Sequence, residues 1–276
     1  MLDSLFVFDI ETVPDTEAAK ALTDCDSDDV DLLTQALTDY HLKITDGKNP
    51  FHRQPFHKVV AISFLEADIV RFDDKFNYNF TNLRSGGTSE SSEEELIKGV
   101  FQYLGKKKPR IVSFNGRCFD MPVLKYRALK YGVEADWLYN SGDKWANYNH
   151  RYSSDWHCDL LESLSDFGAS ARIKLNEVCS ILGYPGKFGV DGSNVQEMYL
   201  TGKIDEIRHY CETDVLNTYL LYLRYSLHCA KISKESYNKS INDLVTFIED
   251  NFFNKPYLKE FYDCWQKTCS NKFYLD

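Results

Sequence analysis

Leu5-Phe6-Val7-Phe8-Asp9-Ile10-Glu11-Thr12 is the stretch on which the reading of this chain turns. Its first four residues are aromatic and aliphatic, and Pro14 follows closely, which predicts a short buried strand. Side chains alternate along a strand, so Asp9 and Glu11 share a face with Leu5 and Val7. Two carboxylates held so close repel one another, and burial disfavours both ions unless a cation sits between them. A hard divalent ion with oxygen ligands is the natural remedy. Taken alone, an Asp-x-Glu at a strand end is more often a pair of solvated acids. The case therefore depends on partners elsewhere in the chain.

Two further groups supply them. In Ser113-Phe114-Asn115-Gly116-Arg117-Cys118-Phe119-Asp120 a short apolar strand runs into a glycine turn, and Asp120 falls in the first turn of the next helix. A carboxylate there is favoured by the helix dipole, and it is equally suited to a metal, with Asn115 free to contact a substrate. In Tyr210-Cys211-Glu212-Thr213-Asp214 the spacing of four puts Tyr210 and Asp214 on one helix face, one turn apart. A phenol and a carboxylate can then address the same point in space.

The rest of the chain sets the bounds. Its 276 residues, 43% hydrophobic and 27% charged, can bury a sizeable core in an α/β fold. No apolar run approaches a membrane span, and the N-terminus lacks a signal-peptide pattern, so a soluble cytoplasmic protein is expected. The eight cysteines form no Cys-x-x-Cys pair and no disulfide framework. A formal charge of −10 argues weakly against nucleic acid, because local distribution outweighs the sum. Between Gly105 and Tyr131, Lys106, Lys107, Lys108, Arg110, Arg117, Lys125, Arg127 and Lys130 face only Asp120, a segment suited either to solvent or to phosphates.

Along the chain, an acidic insertion from about Asp15 to Pro55 follows the first strand. Its aspartates fail the EF-hand pattern, since Asp29 stands where glycine is needed and Gln35 where the bidentate glutamate belongs. One or two surface helices are predicted there, over about Asp28 to Tyr40. Val59–Leu65 and Ile69–Phe72 read as two strands joined at Glu66-Ala67-Asp68, with a polar loop over Asn82–Ser92. Ser92 with Glu95 signals a helix start, and that helix is predicted to reach about Leu104. Ile111–Phe114 reads as a strand and Phe119–Tyr131 as a helix ended by Gly132. Glu134–Trp156, rich in Trp, Tyr, Asn and Gly, reads as a long functional loop. Helices are expected near Cys158–Asp166, Leu175–Leu182, Asn194–Leu200, Ile204–Cys229, Lys234–Asn251 and Tyr257–Lys267. Strands crowd the first half and helices the second, as suits a sheet with helices packed on it.

In their order, Phe-Asp-x-Glu-Thr on a first strand, Asn-x-x-x-Phe-Asp after a later strand and Tyr-x-x-x-Asp on a late helix resemble the DEDDy 3′–5′ exonucleases. The resemblance is strongest to stand-alone exonucleases related to the proofreading domain of family B DNA polymerases. It extends to Gly186-Lys187-Phe188-Gly189-Val190-Asp191-Gly192-Ser193 and to Asp214-Val215-Leu216-Asn217-Thr218-Tyr219, and covers roughly Leu5 to Cys229. It implies a ribonuclease H-like α/β fold, a mixed sheet of about five strands with helices on both faces, followed here by C-terminal helices. It also implies two divalent ions, Mg2+ or Mn2+, held by Asp9, Glu11, Asp120 and Asp214. Asp9 would bridge them, Glu11 and Asp214 would complete the nucleophile-side site, and Asp120 the leaving-group site. Two ions about 4 Å apart suit phosphodiester hydrolysis. Tyr210 would orient the attacking water, while Thr12, Asn115 and Lys187 would contact the substrate. Asp191 sits in the same Gly-rich stretch without a defined role, and Asp159 reads as a helix N-terminal carboxylate.

The expectation is thus a metal-dependent exonuclease acting at the 3′ end of single-stranded nucleic acid, DNA favoured over RNA, and releasing nucleoside monophosphates. An exoribonuclease or short-oligonucleotide hydrolase keeps the same chemistry, since contacts to the 2′-OH are invisible in these motifs. A non-catalytic nucleic-acid-binding module is disfavoured by the full set of four acids and the tyrosine. A ribonuclease H-type endonuclease is disfavoured by Tyr-x-x-x-Asp. Residues 1–230 would form the exonuclease unit and 231–276 a helical extension. The roughly 45 residues of that extension are too few for a polymerase domain, so a free-standing nuclease or a subunit is expected.

Overall fold

In the computed structural model, which describes residues 2–187, 194–270 and 272–276, the opening stretch is a long strand, β1 (Ser4–Pro14). The insertion after it holds α1 (Thr16–Leu22) and α2 (Val30–Ile44), each capped by an aspartate, Asp15 and Asp29. Then come β2 (His57–Phe72), β3 (Lys75–Ser85), α3 (Glu93–Lys107), β4 (Arg110–Ser113), α4 (Asp120–Lys130) and the short α5 (Asp136–Tyr139). After the long loop follow β5 (His157–Asp159), α6 (Leu160–Leu164), α7 (Leu175–Leu182), α8 (Val195–Leu200), α9 (Ile204–His228), α10 (Lys234–Asp250) and α11 (Pro256–Thr268).

The five strands form one sheet in the order β3-β2-β1-β4-β5. β1 is antiparallel to β2 and parallel to β4, β2 is antiparallel to β3, and β4 is parallel to β5. This is a mixed five-stranded sheet. The strand period sorts β1 cleanly. Leu5 and Val7 enter a core with Val215, Leu216 and Tyr219 of α9, together with residues of α10 and α11. Phe6, Phe8 and Ile10 point the other way, into a core with Leu96 and Ile97 of α3 and Val123 and Leu124 of α4. Helices therefore cover both faces, and the alternation sends Asp9 and Glu11 to the α9 side. β4 pairs with β1 only from Leu5 to Val7, so the chain beyond Val7 is open on that edge.

Two readings of the strands need correction. Residues 57–72 form one continuous strand, with no turn at Glu66-Ala67-Asp68, and the reversal comes at Asp73-Asp74. Ala67 pairs with Leu5 and is buried, so the strand runs on through the polar residues beside it, with a register shift against β3 between Glu66 and Ala67. The return strand β3 was not foreseen, although Phe76, Tyr78 and Phe80 alternate as a strand should. Residues 157–159 likewise form β5, a buried three-residue strand ahead of α6. It is too short to show a period.

The basic stretch after Gly105 does not form one solvated face. Arg110 is buried beside the Tyr78 and Tyr222 hydroxyls. Arg127 is buried between Asp15 and Glu93, 2.5 Å from each. All eight cysteines are free. Among the described residues no helix is long and apolar enough to cross a membrane.

Candidate active site

Asp9 and Glu11 leave β1 half-buried beneath α9, and one ligand atom from each lies within 4.8 Å of the other and of the Cys211 sulfur. The Cys211 thiol points at the Asp9 carbonyl oxygen at 3.4 Å and at its Oδ2 at 3.7 Å.

Asp120 arrives from the other side through a constrained turn. Asn115 adopts a left-handed conformation, φ 69°, and a Cβ on Gly116 would lie 2.4 Å from the Ser113 oxygen. That close approach requires glycine. The buried Asp159 carboxylate clamps the turn, accepting from the Asn115 N–H at 3.0 Å and the Arg117 N–H at 2.8 Å. It also caps α6 through the Leu161 and Glu162 N–H groups, so its reading as a helix N-terminal acid was right but incomplete. Asp120 then opens α4, and its Oδ1 accepts from the Ile10 N–H at 3.2 Å. That bond ties it to the residue that separates Asp9 from Glu11.

Tyr210 and Asp214 are both buried on α9. The Lys187 ammonium donates to the Tyr210 hydroxyl at 2.5 Å and lies 3.6 Å from Asp214 Oδ2. Asp214 Oδ1 is buried with no hydrogen-bond partner.

The four carboxyls feel one another. Burial pushes Asp9 well above the usual carboxylate range, and the charges of Asp120, Glu11 and Asp214 push it further, with Lys187 opposing. Glu11 is raised by burial and then by Asp214. Burial lifts Asp120 to about 7 against the Ile10 hydrogen bond. Burial also raises Asp214, with Lys187 and Tyr210 opposing. The Tyr210 phenol is raised by burial and then by the charges of Asp214, Glu11 and Asp9. Such crowding is what a bound cation would relieve. Hard oxygen donors and the orphaned Asp214 oxygen fit a divalent ion of the Mg2+ or Mn2+ kind.

The expected substrate contacts are already engaged within the protein. The Thr12 hydroxyl bonds the His57 ring Nδ1 at 3.0 Å, and Asn115 Oδ1 accepts from Arg172 at 2.8 Å. Lys187 faces the acids themselves. Asp191 lies outside the described residues. The sequence reading missed Cys211, His57 and Arg172. Cys211 lay inside a quoted motif, but His57 and Arg172 are 45 and 57 residues from their partners and carry no local signal.

Residues 49–265 match the family described as "Predicted 3'-5' exonuclease related to the exonuclease domain of PolB". The chain belongs to this family. Asp120, Tyr210 and Asp214 lie inside the matched stretch, whereas Asp9 and Glu11 precede it and are joined to it by the fold. Among solved structures, the family B DNA polymerase from the hyperthermophilic archaeon Pyrobaculum calidifontis is similar over 88% of this chain and 29% of that one, with 17% identity and a TM-score of 0.48. The likeness thus spans under a third of that polymerase. No curated relative matches the sequence.

Proposed function

We propose that this member of the exonuclease family hydrolyses phosphodiester bonds at the 3′ end of single-stranded nucleic acid, DNA in preference to RNA, releasing nucleoside monophosphates. The observation that carries the reading is the approach of Asp9, Glu11, Asp120 and Asp214 from a strand, a helix start and a second helix, all four raised by burial and Asp9 raised further by the charges of the other three. These four side chains would hold two divalent ions. When bound, such ions supply an activated water and neutralise charge on the phosphate and the leaving oxygen.

The chain's own groups do the rest. The Tyr210 hydroxyl, held by Lys187 and raised far above neutrality, stays protonated and orients the attacking water by hydrogen bonding rather than by taking its proton. Lys187, on the same side as Asp214, is placed to offset the charge of an incoming phosphate. Thr12 and Asn115 can meet the terminal nucleotide only by exchanging their contacts with His57 and Arg172. Residues 1–230 act as the exonuclease unit, 231–276 as its helical extension, and the expected compartment is the cytoplasm.

A degradation ladder tests this. End-labelled single-stranded DNA, duplex DNA and RNA are incubated with Mg2+, Mn2+ or chelator. Stepwise shortening of the single strand from its 3′ end, abolished by chelator, is the expected result. Internal cuts, or shortening that survives chelation, would overturn the reading, and faster loss of RNA would move the substrate to RNA.

A further inference from the structure

The end of α5 and the long loop from there to β5 display three large side chains to solvent: Tyr139, Trp145 and Tyr152 are 63%, 70% and 61% exposed. No exposed large aliphatic side chain accompanies them between residues 139 and 156. Rings alone suit flat partners.

Trp145 is displayed on a preformed turn. The Asp143 carboxylate accepts from the Trp145 and Ala146 N–H groups at 2.7 and 2.9 Å, and the Ser153 hydroxyl donates to the Trp145 carbonyl at 2.8 Å. Gly142, at φ 83°, passes so close to the Ala146 carbonyl that a Cβ would overlap it. Holding an exposed indole on a braced turn exposes apolar area that folding would otherwise bury, and the brace lowers the entropy lost when a partner stacks on it. Cations flank the rings: the Lys144 ammonium is 4.9 Å from the Trp145 centroid and Lys125 is 5.9 Å from that of Tyr139. Aromatic faces interleaved with lysines, in a chain of net charge −10, match a polyanion with unstacked bases.

The loop is also tied to the acidic site. Arg117 donates to the carbonyls of Tyr148, His150 and His157 while its own N–H is held by Asp159 in the turn before Asp120. A cleft of about 250 Å³, lined by Arg117, Cys118, Lys125 and Asn149 among others, lies between this loop and the start of α4.

We propose that residues 139–152 form a base-stacking platform for the single strand, holding nucleotides 5′ of the end being cut, with Trp145 as the main ring. The proposal rests on the exonuclease reading for its position relative to the cut, but strand binding itself can be measured without cleavage. A fluorescein-labelled oligothymidylate of about 12 nucleotides is titrated in chelator with wild type, Trp145→Ala and Trp145→Phe, and hydrolysis of the same oligonucleotide and of a dinucleotide is followed with Mg2+. The platform predicts a Kd about tenfold weaker for Trp145→Ala, largely restored by Trp145→Phe, and dinucleotide hydrolysis unchanged. An unchanged Kd in Trp145→Ala, a Trp145→Phe no better than Trp145→Ala, or no strand binding by wild type overturns it. Wild type that binds with this Trp145 dependence yet never cleaves would remove the exonuclease reading and leave the platform standing.

Discussion

Asp214 has one buried carboxylate oxygen without a partner and Lys187 3.6 Å from the other. An acid so placed needs a further cation for its free oxygen, and its loss should remove chemistry rather than fold. Asp9→Ala and Asp214→Ala are each expected to lower the cleavage rate by at least about a thousandfold with unchanged circular dichroism. Tyr210→Phe keeps the ring and loses only the hydroxyl proposed to orient water, so a fall of about ten- to a hundredfold is expected. Single-turnover rates on a 3′-labelled strand measure all three, and wild-type activity in Asp214→Ala would sink the assignment. These residues were legible because each stands in a compact motif. His57 and Arg172, which hold Thr12 and Asn115, were not, because contacts across 45 and 57 residues leave no periodic trace.

At the scale of elements, the insertion is docked by histidines. His41 donates to the Leu37 carbonyl and accepts from the Arg53 N–H, His52 bonds the Thr38 hydroxyl, and His57 reaches back to Thr12 of β1. Burial, with the neighbouring His41 and His57, lowers His52 to about 4 from an ordinary 6.5, and burial also lowers His57. The unfolded chain therefore takes up protons first as the pH falls. Stability is full above about pH 6.5 and is lost between there and about pH 4, His52 contributing about 2 kcal/mol at pH 5. Urea midpoints at pH 7 and pH 5 check this: wild type should lose stability, and His52→Gln should lose measurably less. Equal losses would show that His52 carries none of the dependence. Of the insertion's helices α2 falls where a surface helix was expected, α1 at Thr16–Leu22 was not foreseen, and the attachment beside Thr12 needed coordinates. The missed strand β3 had the opposite cause: its alternation was present, but the intervening positions are asparagines, which are poor strand formers.

For the molecule as a whole, the C-terminal helices complete the core on the α9 face. Tyr237, Ile241, Leu258, Phe261 and Trp265 join the same apolar cluster as Leu5 and Val7. Glu212, on α9 between Tyr210 and Asp214, accepts from Lys255 at 2.9 Å, from Ser85 at 2.8 Å and from the Tyr257 hydroxyl. The tail thus braces the helix that carries two of the site residues. Trp265 is 1% exposed, so Trp265→Ala should cost about 3–5 kcal/mol by opening a large cavity. A thermal melt should show the drop in Tm, and an unchanged melting point would mean that the tail is not part of the cooperative unit.

The sequence by itself determined which four acids and which tyrosine are the candidate site residues, the period that turns Asp9 and Glu11 away from Phe6 and Phe8, and most helix positions. Those features are local: they depend on spacing, capping and alternation within a few residues. Only the tertiary structure decided that Asp120 hangs from the Ile10 amide, that Lys187 meets Tyr210 and Asp214, and that Arg127 and Arg110 are internal ties rather than a phosphate track. Burial and pairing across 23 to 112 residues follow from how the two cores close on the sheet, and one residue's neighbours in sequence carry no record of that closure.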